Sequence, residues 1–392
     1  MKKKIFIILL ILVVFVSGCS KKGESSSGSS SSSTSSKVSD GTKLLSSSDI
    51  FTERDLEQTA DTSSAKTYTV SDGEDITISK EGVYVITGSA KNVTVNVDAD
   101  DEEKVQLVLD SLTITNDSNP CIYVKNADKV FVTTVGENHL SVTGTFTSDG
   151  DTNTDAVIFS KDDIVLNGTG NLEIHSTNNG ISSKDDLKIT GGTLTIECSA
   201  DGLEANNAVA IADGVISITT DKDAIHAEYD EDDSVGYVYI GGGEITINAD
   251  DDAIHATTIV QIDGGTITTT SREGVEGTYI QINGGVVNIK ASDDGMNAAQ
   301  QSKSYTATIE INDGEVTVDM GQGDTDAIDS NGNIYINGGT ITINAQSPFD
   351  YDGEAKYTGG VMTVNGEETT TITNQMMGGG GQPGGNGGRG RG

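Results

Sequence analysis

The chain has 392 residues and no tryptophan, and aromatics make up only 5% of it. That excludes a broad, flat platform of rings. Basic residues are also scarce: 24 Lys and Arg stand against 60 Asp and Glu, a formal net charge of −36. Nucleic acid is therefore excluded as a partner, because backbone phosphates are held by Lys and Arg. Such a surface draws divalent cations instead. The three cysteines, Cys19, Cys121 and Cys198, have no metal-type spacing. Apolar residues reach 34%, thin for a globule but adequate where each structural unit buries one narrow column. The one long apolar run, residues 5–16, is too short for a comfortable membrane span.

That run follows Lys2, Lys3 and Lys4 and ends in Val16-Ser17-Gly18-Cys19, the pattern of a secretory signal. The last four residues resemble a bacterial lipobox, which implies loss of the signal and lipidation of Cys19. The protein is then expected outside the cytoplasm, held at the cell membrane and displayed at the cell surface through that lipid alone. Four segments follow: a signal over 1–19, a Ser/Gly-rich disordered linker over 20–48, a folded domain over 49–372, and a disordered Gly-rich tail over 373–392.

The folded segment repeats itself. Taking one acidic or amide residue per unit as a register mark gives Asp155, Asn179, Asp201, Asp223, Asp252, Glu273, Asp294, Asp326 and Asp350. Successive differences of 24, 22, 22, 29, 21, 21, 32 and 24 give a period near 22 with insertions. Inserts that leave the period intact mark a solenoid, and three short strands in about 22 residues fit one coil of a parallel β-helix. The leucine-rich-repeat consensus is absent. In the second strand the apolar column runs Ile189, Ile211, Ile240, Ile262, Ile282, Ile311 and Ile336. Alternation by two puts that column inside and the preceding residues, from Lys188 to Tyr335, outside. Cys121 and Cys198 then lie about three coils apart, too far for a disulfide when coils stack at about 4.8 Å.

The run 109–116, the segment from Pro120 through Ile122-Tyr-Val-Lys, the segment Asp155-Ala-Val-Ile-Phe-Ser-Lys-Asp-Asp, and Gly180-Ile-Ser-Ser-Lys-Asp-Asp-Leu-Lys-Ile-Thr-Gly-Gly carry a wider likeness. Over roughly residues 66–366 the chain resembles the bacterial cell-surface carbohydrate-binding β-helix family, lipoproteins with a pectate-lyase-like right-handed parallel β-helix that associates with calcium. The resemblance implies an all-β solenoid of roughly a dozen coils that binds pectin-like polygalacturonate or cellulosic polysaccharide. The chain is expected to act as a monomer.

The acidic turns are the chemical signal read from the residues themselves. Asp221/Asp223, Asp250/Asp251/Asp252, Glu273, Asp293/Asp294 and Asp324/Asp326 crowd one edge of neighbouring coils. Carboxylates about 4.8 Å apart repel unless a cation sits between them, and Ca²⁺ takes six to eight such oxygens. The expected centre is Asp223, Asp251, Asp252 and Asp294. An Asp/Asn ladder accepting hydrogen bonds from turn amides explains the marks equally well. Three residues after each mark stand Glu204, His226, His255, Glu276, Asn297 and Asp329, an outward strip suited to sugar hydroxyls, to Ca²⁺, to zinc on His226 and His255 with Glu204 or Glu276, or to plain solvation. Tyr239, Tyr279 and Tyr335 are expected outward, where they can stack sugars. Lyase chemistry needs calcium on a uronate plus a Lys or Arg base. Lys222 and Arg272 fit that role and equally well neutralise their acidic turns. No recognisable lyase motif accompanies them, so binding without catalysis is expected, with a calcium-stiffened structural protein or adhesin as the alternative.

Overall fold

Side-chain parity decides the architecture. The column from Ile189 to Ile336 is continuous in space: Ile189 pairs with Ile211, Ile211 with Ile240, Ile240 with Ile262, Ile262 with Ile282, Ile282 with Ile311 and Ile311 with Ile336. All seven side chains are buried. The computed structural model describes residues 43–229, 232–321 and 325–375. The Cys19 lipid site, most of the linker, Asp324 and the tail after Gln375 lie outside the described residues.

Within the described residues the chain forms 34 strands and one four-residue helix, Ser47–Ile50. Each coil supplies three strands, as in Leu203–Ala205, Ala208–Ile211 and Val215–Thr220. Each strand pairs in parallel with its counterpart in the next coil, so that three ladders run the length of the stack. We call them the first, second and third ladders. Their inward residues fuse into one apolar core from Val70 to Met362. The early strands stack on the later ones as well, with register shifts at Thr87/Gly88 and Val97/Asp98: Ile76 pairs with Val95, Val95 with Ile122 and Ile122 with Ile158. At the far end, Glu367–Thr369 turns back antiparallel on Val361–Val364 and blunts the open edge.

The Gly-Gly corners are dictated by crowding between coils. Gly285 has φ +86, and a Cβ there would stand 2.8 Å from the carbonyl oxygen of Gly265 in the coil before. A side chain is excluded both by backbone conformation and by contact.

One expectation is overturned on the second ladder. Its outward residues are not solvated: Lys188, Tyr239, Gln261, Gln281, Glu310 and Tyr335 are all buried. Residues 43–58 lie across much of this face. Lys188 Nζ donates to Ile50 O at 2.7 Å, Gln261 Nε2 to Leu45 O at 2.9 Å, and the Leu44 amide to Gln281 Oε1 at 3.2 Å. Ile50 and Phe51 pack on Ala210 and Tyr239. Asp55 meets Lys129 at 3.3 Å, and Gln58 reaches Thr190 O at 2.9 Å. Residues 43–48, expected in the linker, thus belong to the body as a strap. At the other boundary, Gln375 N donates to Phe349 O at 2.9 Å.

Candidate functional site

The first ladder keeps an open outer face. Because Ile225, Ile254, Val275, Met296 and Ile328 are buried, the residue after each points outward. The register stacks Glu204, His226, His255, Glu276, Asn297 and Asp329 in that order, as the spacing predicts; Asp350, read as a register mark, instead pairs with Asp329 and extends the strip, while Ser347 pairs with the mark Asp326. Toward the N-terminus the same column continues through Ser182, Phe159, Tyr123 and Asn96, but there Ser182, Phe159 and Tyr123 are buried.

Beside this strip runs the column of register marks, where the amide ladder is realised. Asp201 N donates to Asn179 Oδ1 at 3.0 Å, Asp223 N to Asp201 Oδ1 at 3.3 Å, Asp252 N to Asp223 Oδ1 at 2.9 Å, and Asp326 N to Asp294 Oδ1 at 3.3 Å. One oxygen of each carboxylate is thereby spent on the backbone. Around the histidines the other turns to the strip: His226 Nδ1 lies 3.0 Å from Asp201 Oδ2 and 3.6 Å from Asp223 Oδ2. His255 Nδ1 lies 3.5 Å from Asp223 Oδ2 and 3.7 Å from Asp252 Oδ2.

Titration along the strip follows from this crowding. Burial opposes charge on His226, but its bonds to Asp201 and Glu228 outweigh that and push it up to about 10. Burial, a hydrogen bond to Glu276 and the charge on Asp223 hold Asp252 far above the usual carboxylate range. Burial and the neighbouring Asp329 raise Asp294 to about 7, and burial with Asp350 and Asp326 raises Asp329 to about 6. Asp223 goes the other way: although burial raises it, hydrogen bonds from His255 and the Asp252 amide bring it below its ordinary value.

Three members of the expected calcium centre, Asp223, Asp251 and Asp252, each place an oxygen within 4.8 Å of the others, and a cation of the chain itself stands beside them. Arg272 places Nε 2.7 Å from Asp251 Oδ1, Nη1 2.7 Å from both Glu273 Oε1 and Asp293 Oδ2, and Nη2 3.4 Å from Asp252 Oδ1. Four of the acids expected to hold calcium converge on one guanidinium. Asp223 is shared by the histidines, and Asp221 and Asp250 are exposed on their turns. Asp294 and Asp326 remain in the acidic end of the strip with Asp329 and Asp350. Among the described residues no Lys, Arg or His pairs with Asp294, Asp329 or Asp350.

The expected aromatic set is also redistributed. Tyr239 is 2% exposed, lies under the strap against Phe51 and donates to Asp263 Oδ2 at 3.1 Å. Tyr335 is buried on the same ladder, and half-buried Tyr279 donates to Glu310 Oε2 at 2.9 Å. None of the three lies on the strip. The aromatics that do are Tyr123 and Phe159, which carry lysines over their rings: Lys125 and Lys161 over Tyr123 at 4.8 and 5.8 Å, and Lys184 over Phe159 at 5.5 Å. The three follow equivalent strand ends, since Val124 pairs with Ser160 and Ser160 with Ser183. Lys125 also lines a hollow of about 210 Å³ with Asn96, Asn119, Tyr123 and Asp149. The sequence signal for them was the recurring Ser-Lys-Asp-Asp at 160–163 and 183–186. It also places Asp163, Asp185 and Asp186 within 4.8 Å of one another on the far side of that turn.

The family model described as "Carbohydrate-binding domain-containing protein" matches residues 72–325 and 269–378. The chain belongs to this carbohydrate-binding family. A curated relative of that same description from Acetivibrio thermocellus is 36% identical over 127 residues, 31% of this chain. The match spans 44% of the relative's length. A solved structure of a polysaccharide lyase-like protein from C. thermocellum, a gadolinium derivative, superimposes with a TM-score of 0.53 at 32% identity. It covers 55% of this chain and 96% of that one. In this member the outward residues of the second ladder are buried, and the first ladder carries a partly exposed polar strip from Glu204 to Asp350.

Proposed function

We propose that this protein is a lipid-anchored, right-handed β-helix at the cell surface that binds a uronate-bearing polysaccharide lengthwise along the first ladder. The observation that carries the proposal is the outward column of polar side chains from Glu204 to Asp350, partly exposed beside a second ladder whose outward residues are buried. An extended glycan presents hydroxyls and carboxylates at regular intervals, and a solenoid offers matching groups coil by coil. Lys125, Lys161 and Lys184 attract sugar carboxylates at one end. At the other, Asp294, Asp326, Asp329 and Asp350 repel them unless a divalent ion bridges the two.

Calcium suits that acidic end. The donors are hard oxygens, and among the described residues no Lys, Arg or His pairs with Asp294 or Asp329, which burial and neighbouring carboxylates raise. Binding without cleavage is favoured because Arg272, the better-placed candidate base, is surrounded by four carboxylates that hold it charged.

Affinity electrophoresis and calorimetry on polygalacturonate and on amorphous cellulose, with calcium or with chelator, test this. Retention on polygalacturonate with calcium, lost in chelator while the fold survives and without an unsaturated product absorbing in the ultraviolet, is expected. Absence of retention on both polymers sinks it. The carboxylate–amide ladder favours a second reading, in which the acidic edge stiffens the stack. Chelator that melts the fold of a protein without glycan affinity would establish that one.

A further inference from the structure

The two histidines of the strip are arranged as ligands, and this inference does not depend on the glycan reading. His226 and His255 stack with ring centroids 4.9 Å apart and planes 14° from parallel. The Nε2 of each ring already has an acceptor: Glu228 Oε2 at 3.1 Å for His226 and Gln301 Oε1 at 3.2 Å for His255. Gln301 is oriented in turn, since its Nε2 donates to Glu276 Oε1 at 2.7 Å, which leaves its oxygen for the ring.

An outer acceptor at Nε2 draws a neutral ring's single N–H to that side and turns the Nδ1 lone pair inward. In the metal-free protein His226 Nδ1, 3.0 Å from Asp201 Oδ2, shares a proton with that carboxylate, and an entering ion has to displace it. His255 Nδ1 faces Asp223 and Asp252 at 3.5 and 3.7 Å.

One ion can serve both rings. A ring nitrogen of His226, a ring nitrogen of His255 and a carboxylate oxygen of Asp223 all lie within 4.8 Å of one another. Asp223 Oδ2 is 3.6 and 3.5 Å from the two nitrogens, and Asp252 Oδ2 is 3.7 Å from the second. These separations are long for hydrogen bonds, whose usual distance is about 2.9 Å. They are close to the edges of about 3.4 Å of a tetrahedron whose bonds are about 2.0–2.1 Å long. Histidine ligands held at their other nitrogen by a carboxylate or amide are the usual second layer of such sites.

We propose that His226, His255 and Asp223, with Asp252 as the adjoining oxygen donor, bind a borderline divalent ion of the zinc type. Imidazole nitrogen prefers such an ion to calcium, so this site is distinct from the oxygen-only end of the strip.

The test uses the full chain without a polyhistidine tag, titrated with Co²⁺ and followed by its visible ligand-field absorption, then by calorimetry with Zn²⁺. One equivalent of Co²⁺ should give an intense tetrahedral band that Zn²⁺ displaces and a roughly hundredfold excess of Ca²⁺ does not. His226→Gln with His255→Gln should abolish the band. If that double variant loses its cooperative melt, His255→Gln alone is read and should weaken binding at least about tenfold. A wild-type chain with no band, a band retained by a folded double variant, or displacement by Ca²⁺ overturns the proposal.

Discussion

Arg272 Nη1 stands 2.7 Å from the Oδ2 of Asp293, a residue one coil further along the stack. The same guanidinium reaches Asp251 and Asp252 in the coil before, so it bridges three coils. Arg272→Ala should leave four carboxylates facing one another and cost about 1–2 kcal/mol, a figure kept low because the side chain is partly exposed. Calcium should restore more of the melting temperature in the variant than in the wild type. Equal calcium responses would show that the guanidinium does not occupy a cation seat.

The pH dependence has a definite sign. Asp294, raised from 3.8 to about 7, and Asp329, raised to about 6, bind their protons more tightly folded than unfolded. His226, raised from 6.5 to about 10, does the same. Each contributes stability that is complete below its unfolded value and lost as pH rises through its folded one. Asp223, lowered, works in reverse at the acid end, its share being lost as pH falls below about 4. In chelator the melting temperature should therefore fall between pH 5 and pH 9, and Asp294→Asn should flatten the slope near pH 6. A melting temperature that climbs over that interval contradicts the assignment.

The strap is held by a small apolar anchor. Phe51 is buried against Tyr239 with ring centroids 6.0 Å apart. Phe51→Ala should cost about 3 kcal/mol of local attachment. Limited proteolysis should then cut within residues 43–58 well before the coils unfold, whereas the wild type should resist. Unchanged cleavage would mean that hydrogen bonds to Lys188 and Gln261 hold the segment without the ring.

Lys161 is the lysine of its trio for which no salt bridge appears among the described residues; Lys125 meets Asp149 at 3.2 Å and Lys184 meets Glu204 at 3.2 Å. Lys161→Glu should lower affinity for polygalacturonate by about tenfold while leaving neutral cellulosic polymer unaffected, as measured by affinity electrophoresis at two salt concentrations. Equal losses on both polymers would point to a packing defect instead.

The strip from Glu204 to Asp329 was legible because a solenoid converts sequence period into vertical neighbours, and a mark three residues away was enough to find each member. The isoleucine column was legible for the same reason. The fate of Tyr239 and Tyr335 was not. Their burial depends on the side opposite the core, and Tyr239 is covered by a non-repeating segment whose hydrogen bonds span separations of up to 237 residues. Parity alone distinguishes inside from outside and says nothing about what later lies on the outside. The lysines over Tyr123 and Phe159 escaped because the charge argument rested on acids, although Lys161 and Lys184 follow the marks Asp155 and Asn179 in their own coils. Arg272 was noticed, but whether it would stand beside one acid or four depended on how far its side chain extends across coils.

The path of residues 43–58 has a mechanical corollary. Lys43 meets Asp263 at 2.9 Å, well inside the stack, and the segment then runs toward earlier coils until Gln58 reaches Gly168. Tension on the polypeptide ahead of Lys43 is delivered to the middle of the rod and spread along its flank as shear. The terminal coil, which would peel one strand at a time, is spared that load.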